Sequence, residues 1–169
     1  TYTFVDRKAF SAGAIIAMAT KHIYMAPASV IGDAMPIMMS PFGSVQEMPE
    51  DLQEKMVSAV SGLIRATAEE SGHNPQVAEK MVRRDIELKI GEEIISPTGQ
   101  LLTLTNVRAE QKFGEEQRPL LSEGTVKDLP ALLRTIGLEN AQTKQLEVTL
   151  IERLARIIVG YTRDLDPIR

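Results

Sequence analysis

Apolar positions recur along this chain at two spacings, and the switches between them outline alternating strands and helices. Tyr2-Thr3-Phe4-Val5 is a strand-like run, Asp6-Arg7-Lys8 turns the chain, and Ala12 to Ala19 is a wholly apolar, small-residue helix. Ile23-Tyr24-Met25 returns as a strand. Ala34 to Gly43 is rich in methionine but broken by prolines, so it is not expected to be helical. Met48-Pro49-Glu50-Asp51 has the proline and acids of a helix start, and Leu52, Met56, Val60, Leu63, Ile64 and Thr67-Ala68 continue it as a long amphipathic helix. Asn74-Pro75 opens a second helix to about Arg84-Asp85, with Val77, Met81 and Val82 on one face.

Further along, Glu93 to Leu104 is expected to form a hairpin around Pro97-Thr98-Gly99. Asn106 to Phe113 is short and helical, Gly114 to Pro119 is a charged loop, and Thr125 to Ile136 is a helix stopped by Gly137. Gln145 to Thr149 is strand-like, and Ile151, Leu154, Ala155, Ile157 and Ile158 then recur at helical spacing. The alternation describes an α/β chain.

Composition narrows the chemistry. The 169 residues suffice for one core, 43% of them are hydrophobic, and the net charge is −4. Basic residues are dispersed and only 4% of residues are aromatic, which argues against nucleic acid as a partner. There is no cysteine, so thiol catalysis and thiolate metal sites are excluded, and two isolated histidines make no zinc site. No glycine-rich phosphate loop is visible, and no cofactor is expected. No stretch reaches the roughly 20 apolar residues of a membrane span, and no signal peptide is evident.

Ser11 is the candidate with the most chemistry. It stands between the first strand and the apolar helix, where it reads either as an ordinary N-cap or as a nucleophile beside free backbone N–H groups. Lys55 shares a narrow stripe of the long helix with Ala59, Gly62 and Ala66. Small residues allow close approach of another element, so Lys55 is expected to be partly buried, and burial favours the neutral amine that a general base requires. The alternative is a snorkelling lysine on a solvated edge. His22 and His73 read as strand-edge and turn residues and support no Ser-His-Asp triad. Ser29, Ser40 and Ser44 read as turn residues. Met35, Ile37, Met38 and Phe42, in the methionine-rich segment, are candidates to wall a groove for apolar peptide, or else a buried connection.

Ser11-Ala12-Gly13-Ala14, Ile23-Tyr24-Met25-Ala26-Pro27, Ile31-Gly32-Asp33-Ala34-Met35-Pro36, Glu69 to Asn74 and Leu101 to Thr105 occur in an order and spacing that resembles the membrane-bound Clp-class serine proteases, the NfeD-like family. The resemblance spans roughly residues 4 to 158. It implies a Clp/crotonase-like spiral of ββα units in which a serine attacks and a lysine is the base. Ser11 matches that nucleophile, Lys55 matches that lysine, and the N–H of Ala12 matches one oxyanion donor.

The resemblance also places the start of this sequence inside the strand before the nucleophile. Earlier strands and a glycine-rich loop carrying the second oxyanion donor would then lie outside it, so residues 1–138 would be the C-terminal part of a protease domain. Residues 139–169 would be a strand-helix extension toward membrane or oligomer contacts. The implied partners are apolar peptide segments, stomatin-like membrane proteins and further copies of the chain. The full-length protein is expected to be membrane-associated with an extracytoplasmic protease domain, the present chain being soluble. Two other expectations stay open: an inactive Clp-like scaffold for membrane-protein assembly, and a crotonase-type acyl-CoA enzyme, whose nearest acids would be Glu47, Glu50 and Asp51.

Overall fold

A computed structural model describes residues 1–40 and 44–144. The elements run in the order β1 (Tyr2–Val5), β2 (Lys8–Phe10), α1 (Ala12–Met18), β3 (His22–Met25), β4 (Val30–Gly32), β5 (Met38–Met39), β6 (Val45–Gln46), α2 (Glu50–Ser71) and α3 (Pro75–Lys80). They continue as β7 (Leu88–Ile90), β8 (Glu93–Ser96), β9 (Thr103–Thr105), α4 (Asn106–Glu110), β10 (Lys112–Phe113), β11 (Arg118–Pro119), β12 (Gly124–Thr125) and α5 (Leu129–Thr135). The chain forms two compact units. Among the described residues, one comprises Thr1–Pro36 and Glu50–Glu139, and the other comprises 37–40, 44–49 and 140–144.

The first unit is a mixed α/β body. β1 and β12 each run parallel to the central β3, and β2 runs parallel to β4, whose other side is taken by antiparallel β9. Both three-stranded sheets therefore end on strands from the first ten residues. Ala14, Ala17 and Met18 of α1, Ile64 and Ala68 of α2, and Val77, Ala78, Met81 and Val82 around α3 are buried with Ile23, Met25, Ile31 and Leu104 of the strands. At about 25 cal/mol per Å², each buried valine, leucine, isoleucine or methionine side chain contributes on the order of 1.5–3 kcal/mol.

The long helix starts at Glu50, as its sequence indicates, but it buries only part of the expected stripe: Val60, Ile64 and Ala68 of that stripe pack on the core. Ser61, Ile64 and Ala68 face inward, with Val57 and Val60 beside them, while Leu52, Met56 and Leu63 are exposed. Among the described residues, nothing lies within 4 Å of where a Gly62 side chain would begin. The small-residue stripe of Ala59, Gly62 and Ala66 is thus open, and Lys55 is exposed with it, correcting the expectation of partial burial.

The hairpin around Pro97 is also corrected. β8 pairs with β7, across a turn at Gly91 with φ 61°, and β9 crosses to β4. The connection between β8 and β9 is held to α3 and the residues after it: Gly99 N–H donates to Arg84 O at 2.6 Å and Leu102 N–H to Lys80 O at 3.0 Å. Fastened there, the segment cannot fold back onto β8.

Two helices are shorter than their patterns suggest. α3 ends at Lys80 rather than near Arg84, with Asn74 as its N-cap. α5 begins at Leu129 because the Asp128 side chain accepts from Ala131 N–H, while Thr125 belongs to β12. The helical stretch at Asn106 ends at Glu110, and Lys112-Phe113 pairs with Arg118-Pro119 across the charged loop.

In the second unit, the methionine-rich segment is non-helical, as expected. Met38-Met39 pairs antiparallel with Val45-Gln46, and Ile37 is 56% exposed. Phe42 and the strand-helix pattern from Gln145 lie outside the described residues.

Candidate functional site

Ser11 terminates β2 and precedes α1, so it occupies the turn where a strand becomes a helix. Its backbone has φ 52° and ψ −123°. This is the mirror image of the common (−60°, +120°) turn conformation, and an L-residue held there stores about 1–3 kcal/mol of strain. An ordinary N-cap has extended dihedrals and a side chain that accepts from the first turn. Ser11 has neither: its hydroxyl makes no capping bond, and the residue is exposed. Ser11 therefore occupies the N-cap position of α1 without a side-chain capping bond.

The turn is held from behind by backbone alone. Ser11 N–H donates to Asp33 O at 3.0 Å, Asp33 N–H donates to Leu102 O at 3.1 Å, and Ala34 N–H donates to Met81 O at 2.7 Å. Asp33 itself has φ 45°. Gly32, at φ 139°, lies so close to the 102–103 backbone that an added β-carbon would stand 2.2 Å from Leu102 O. In front of the serine, small residues let the turn close: a β-carbon on Gly13 would meet Ala9 Cβ at an ordinary 3.7 Å. Ala12 is exposed, so its N–H, next after the serine, can face solvent or a ligand.

Lys55 is on the first half of α2, which packs against α1. It borders a shallow depression with Asp51, Glu54, Ser58 and Ala59. Among the described residues no hydrogen bond or ion pair joins Lys55 to Ser11. Met35 is half-buried two residues after Asp33 and lines a cleft of about 410 Å³. Ile37 and Met38 belong to the other unit. Another cleft, about 740 Å³, is lined by His73, Phe113 and Glu115 among others and contains neither Ser11 nor Lys55.

Neither histidine serves the serine. His22 Nδ1 pairs with Glu123 Oε1 at 2.7 Å under the stacked ring of Tyr2, and His73 Nε2 donates to Thr20 O at 2.6 Å. Tyr24, beside the same glutamate, has its hydroxyl pKa raised by burial first and by Glu123 second. Among the described residues no cluster of three or more metal-ligating side chains occurs, and no helix is long and apolar enough to cross a membrane.

One buried charge gave no signal in the sequence. Lys80 is 0% exposed, and its Nζ donates to Ile86 O at 2.6 Å and Pro97 O at 2.8 Å, tying both ends of the β7–β8 arm to α3. Burial lowers its pKa, partly opposed by Asp85 and Glu87. Its main-chain carbonyl receives Leu102 N–H, so Lys80 lies on the same backbone path that ends at Ser11. A lysine at the end of a short helix ordinarily reads as a solvated C-terminal charge, which is why the pattern hides it.

Ser11 is thus an exposed serine on a strained strand-to-helix turn of a mixed α/β body. More narrowly, the chain belongs to the NfeD1b family: the family described as "NfeD1b, N-terminal domain" matches residues 1–146. It is 31% identical over 153 residues to membrane protein NfeD1b of Bacillus subtilis (strain 168), covering 90% of this chain and 31% of that protein. It is 36% identical over 81 residues to membrane-bound protease PH1510 of Pyrococcus horikoshii, covering 47% of this chain and 18% of that protein. The chain therefore spans a third or less of the curated relatives it matches.

Two solved structures carry the same fold. A serine-to-alanine variant of the 1510-N membrane-bound stomatin-specific protease superposes with a TM-score of 0.54 at 27% identity, covering 79% of this chain and 53% of that one. A lysine-to-alanine variant of the same protease, in complex with a substrate peptide, gives 0.59 at 22% identity, covering 94% and 69%.

Proposed function

We propose that this chain is the catalytic portion of a serine endopeptidase with a Ser11/Lys55 dyad, built on a Clp/crotonase-like spiral that residues 1–138 represent only in part. The observation that carries the reading is Ser11 itself: exposed, without a side-chain capping bond and held in a conformation that costs free energy. Strain of this kind persists where function selects it. Kinship with a protein named a membrane-bound protease supports the reaction class.

In the reaction, Ser11 Oγ attacks the scissile carbonyl while Lys55 Nζ, as general base, takes its proton. The carbonyl oxygen becomes an oxyanion that accepts from Ala12 N–H. One such donor is worth about 2.7–4 kcal/mol of transition-state stabilisation. Collapse of the tetrahedral species breaks the C–N bond, and the lysine returns the proton to the departing amine. Water, deprotonated by the same lysine, then attacks the acyl-serine, and Ser11 leaves with that proton.

The substrates in this reading are apolar segments of membrane-associated proteins, contacted by Met35, Ile37, Met38 and Phe42. Stomatin-like proteins are the proposed partners, on the strength of a relative titled stomatin-specific, and the working form is a homo-oligomer. The full-length protein would be membrane-associated, with this domain on the extracytoplasmic side.

The absence of a Ser11–Lys55 hydrogen bond among the described residues favours a second reading, a Clp-like scaffold without activity. A fluorophosphonate probe and an apolar peptide library, applied to the full-length protein, separate the two. The protease reading expects labelling at Ser11 that Ser11→Ala abolishes, and cleavage lost in both Ser11→Ala and Lys55→Ala with folding intact. Cleavage that survives either substitution, or a parent that neither labels nor cleaves, rejects it.

A further inference from the structure

Lys80 is a buried charge that the reaction does not use. It is fully buried, yet its Nζ meets two neutral carbonyls, Ile86 O at 2.6 Å and Pro97 O at 2.8 Å, and makes no ion pair among the described residues. Taking an ammonium out of water without a carboxylate beside it is costly, and an apolar side chain of similar length would avoid that cost. What the lysine does that an apolar side chain cannot is donate to those carbonyls.

Pro97 begins the connection between β8 and β9, and Lys80 grips that connection at both ends. Its side chain donates to Pro97 O, and its own carbonyl receives Leu102 N–H at 3.0 Å; between them, Gly99 N–H is held by Arg84 O at 2.6 Å. Leu102 O in turn receives Asp33 N–H at 3.1 Å, and Asp33 O receives Ser11 N–H at 3.0 Å. The carbonyl after that of Lys80, Met81 O, takes Ala34 N–H at 2.7 Å. The end of α3 therefore holds both segments that cross behind the serine, 97–102 through Lys80 and Arg84 and 33–34 through Met81. There is no slack where they cross, because a β-carbon on Gly32 would stand 2.2 Å from Leu102 O. A shift of the 97–102 connection is accordingly passed on to Asp33. Of the bonds in this path only those of the Lys80 side chain can be removed by substitution, since the others are main chain.

Resting on the protease reading of Ser11, we propose that Lys80 is a positioning residue for the nucleophile: its side-chain bonds to Ile86 O and Pro97 O set the place of Leu102, and through Leu102 and Asp33 the place of the Ser11 turn. Lys80 touches no reacting atom and takes no proton in the reaction. A misplacement of about 1 Å at a reacting group costs on the order of a hundredfold in rate. Partial loosening of the path should therefore slow the chemical step about tenfold and leave encounter with a ligand nearly unchanged.

The test compares the full-length parent with Lys80→Met and with Leu132→Ala, which empties a buried position of α5 that has no bond on this path. Fluorophosphonate labelling of Ser11, at a temperature where all three are folded, is resolved into an affinity KI and a rate kinact, and hydrogen exchange is followed in segments 9–12, 31–34 and 100–103. Lys80→Met is expected to lower kinact about tenfold with KI within about twofold of the parent, and to speed exchange in those segments more than Leu132→Ala does. Leu132→Ala should keep kinact within about twofold. Lys80→Gln, which keeps an N–H donor on a shorter side chain, is a milder variant whose kinact should fall between parent and Lys80→Met, and it carries the test if Lys80→Met does not fold. An unchanged kinact in the Lys80 variants, or one lowered equally by Leu132→Ala, overturns the proposal. A parent that does not label rejects the protease reading; faster exchange at 9–12 in Lys80→Met would then still support the link from Lys80 to the Ser11 turn, and unchanged exchange would overturn it.

Discussion

Ser11 and Asp33, two L-residues with positive φ, are joined by a single backbone hydrogen bond of 3.0 Å, so each strained conformation helps hold the other. Strand β4 delivers Asp33 to the end of β2, where its carbonyl meets the serine's N–H and turns the hydroxyl outward. The strain predicts a trade between stability and chemistry. Ser11→Ala and Ser11→Gly both remove the hydroxyl, yet only glycine is at ease at φ 52°. Thermal or urea unfolding should find Ser11→Gly more stable than Ser11→Ala by roughly 1 kcal/mol. Equal stabilities would mean that the turn is not strained in solution.

Gly32 makes the close crossing behind the elbow possible. In Gly32→Ala the new β-carbon would meet Leu102 O at 2.2 Å, and the obstructing atoms are backbone rather than a flexible side chain. The crossing must open, carrying Asp33 and the Ser11 turn with it. The expected outcome is a loss of about 3 kcal/mol or more in unfolding free energy. Fluorophosphonate labelling of Ser11 should slow even at temperatures where the variant remains folded. A variant of parental stability would show that the two segments separate freely.

How far these features could be read in the sequence depends on whether their causes are local. The Ser11 turn was visible because strand, serine and apolar helix follow one another directly, and Asn74 and Pro75 marked the start of α3 for the same reason. The partners of those elements were not visible. β8 pairs with β7 and not with β9 because Gly99 and Leu102 bond to Arg84 and Lys80, contacts over a distance that no alternation of apolar residues encodes. Likewise Leu52, Met56 and Leu63 share a helical stripe with the right period, but the surface available to α2 within this unit is met by Ile64 and Ala68. Periodicity identified the helix and left open which face it buries.

Ser29 is the one buried side-chain polar atom, among the described residues, with no hydrogen-bond partner, although its backbone N–H and carbonyl are both bonded. An unsatisfied buried hydroxyl costs about 1–3 kcal/mol, whereas a methyl in its place costs nothing in hydrogen bonding. Ser29→Ala is therefore expected to be neutral or to stabilise by up to about 1 kcal/mol in denaturant unfolding. Destabilisation beyond about 1 kcal/mol would reveal a bound water at this position that the hydroxyl holds.

Lys80 makes stability depend on pH in a direction that can be worked out. Its folded pKa lies below the ordinary lysine value of 10.5, mainly through burial, so between the two values the unfolded chain holds a proton that the folded chain has released. Stability contributed through this group accordingly rises as pH increases through that alkaline window, and is smallest below it. Lys80→Met removes the titration and leaves Ile86 O and Pro97 O without their donor, at a cost of about 2 kcal/mol at neutral pH. Tyr24, whose raised pKa acts in the opposite sense near pH 10, is present in both proteins and cancels in the difference. Urea unfolding of parent and variant at pH 7 and pH 10 should show the gap between them widening with pH. A constant or narrowing gap would mean that the buried amine keeps its proton in the folded protein as tightly as in the unfolded one.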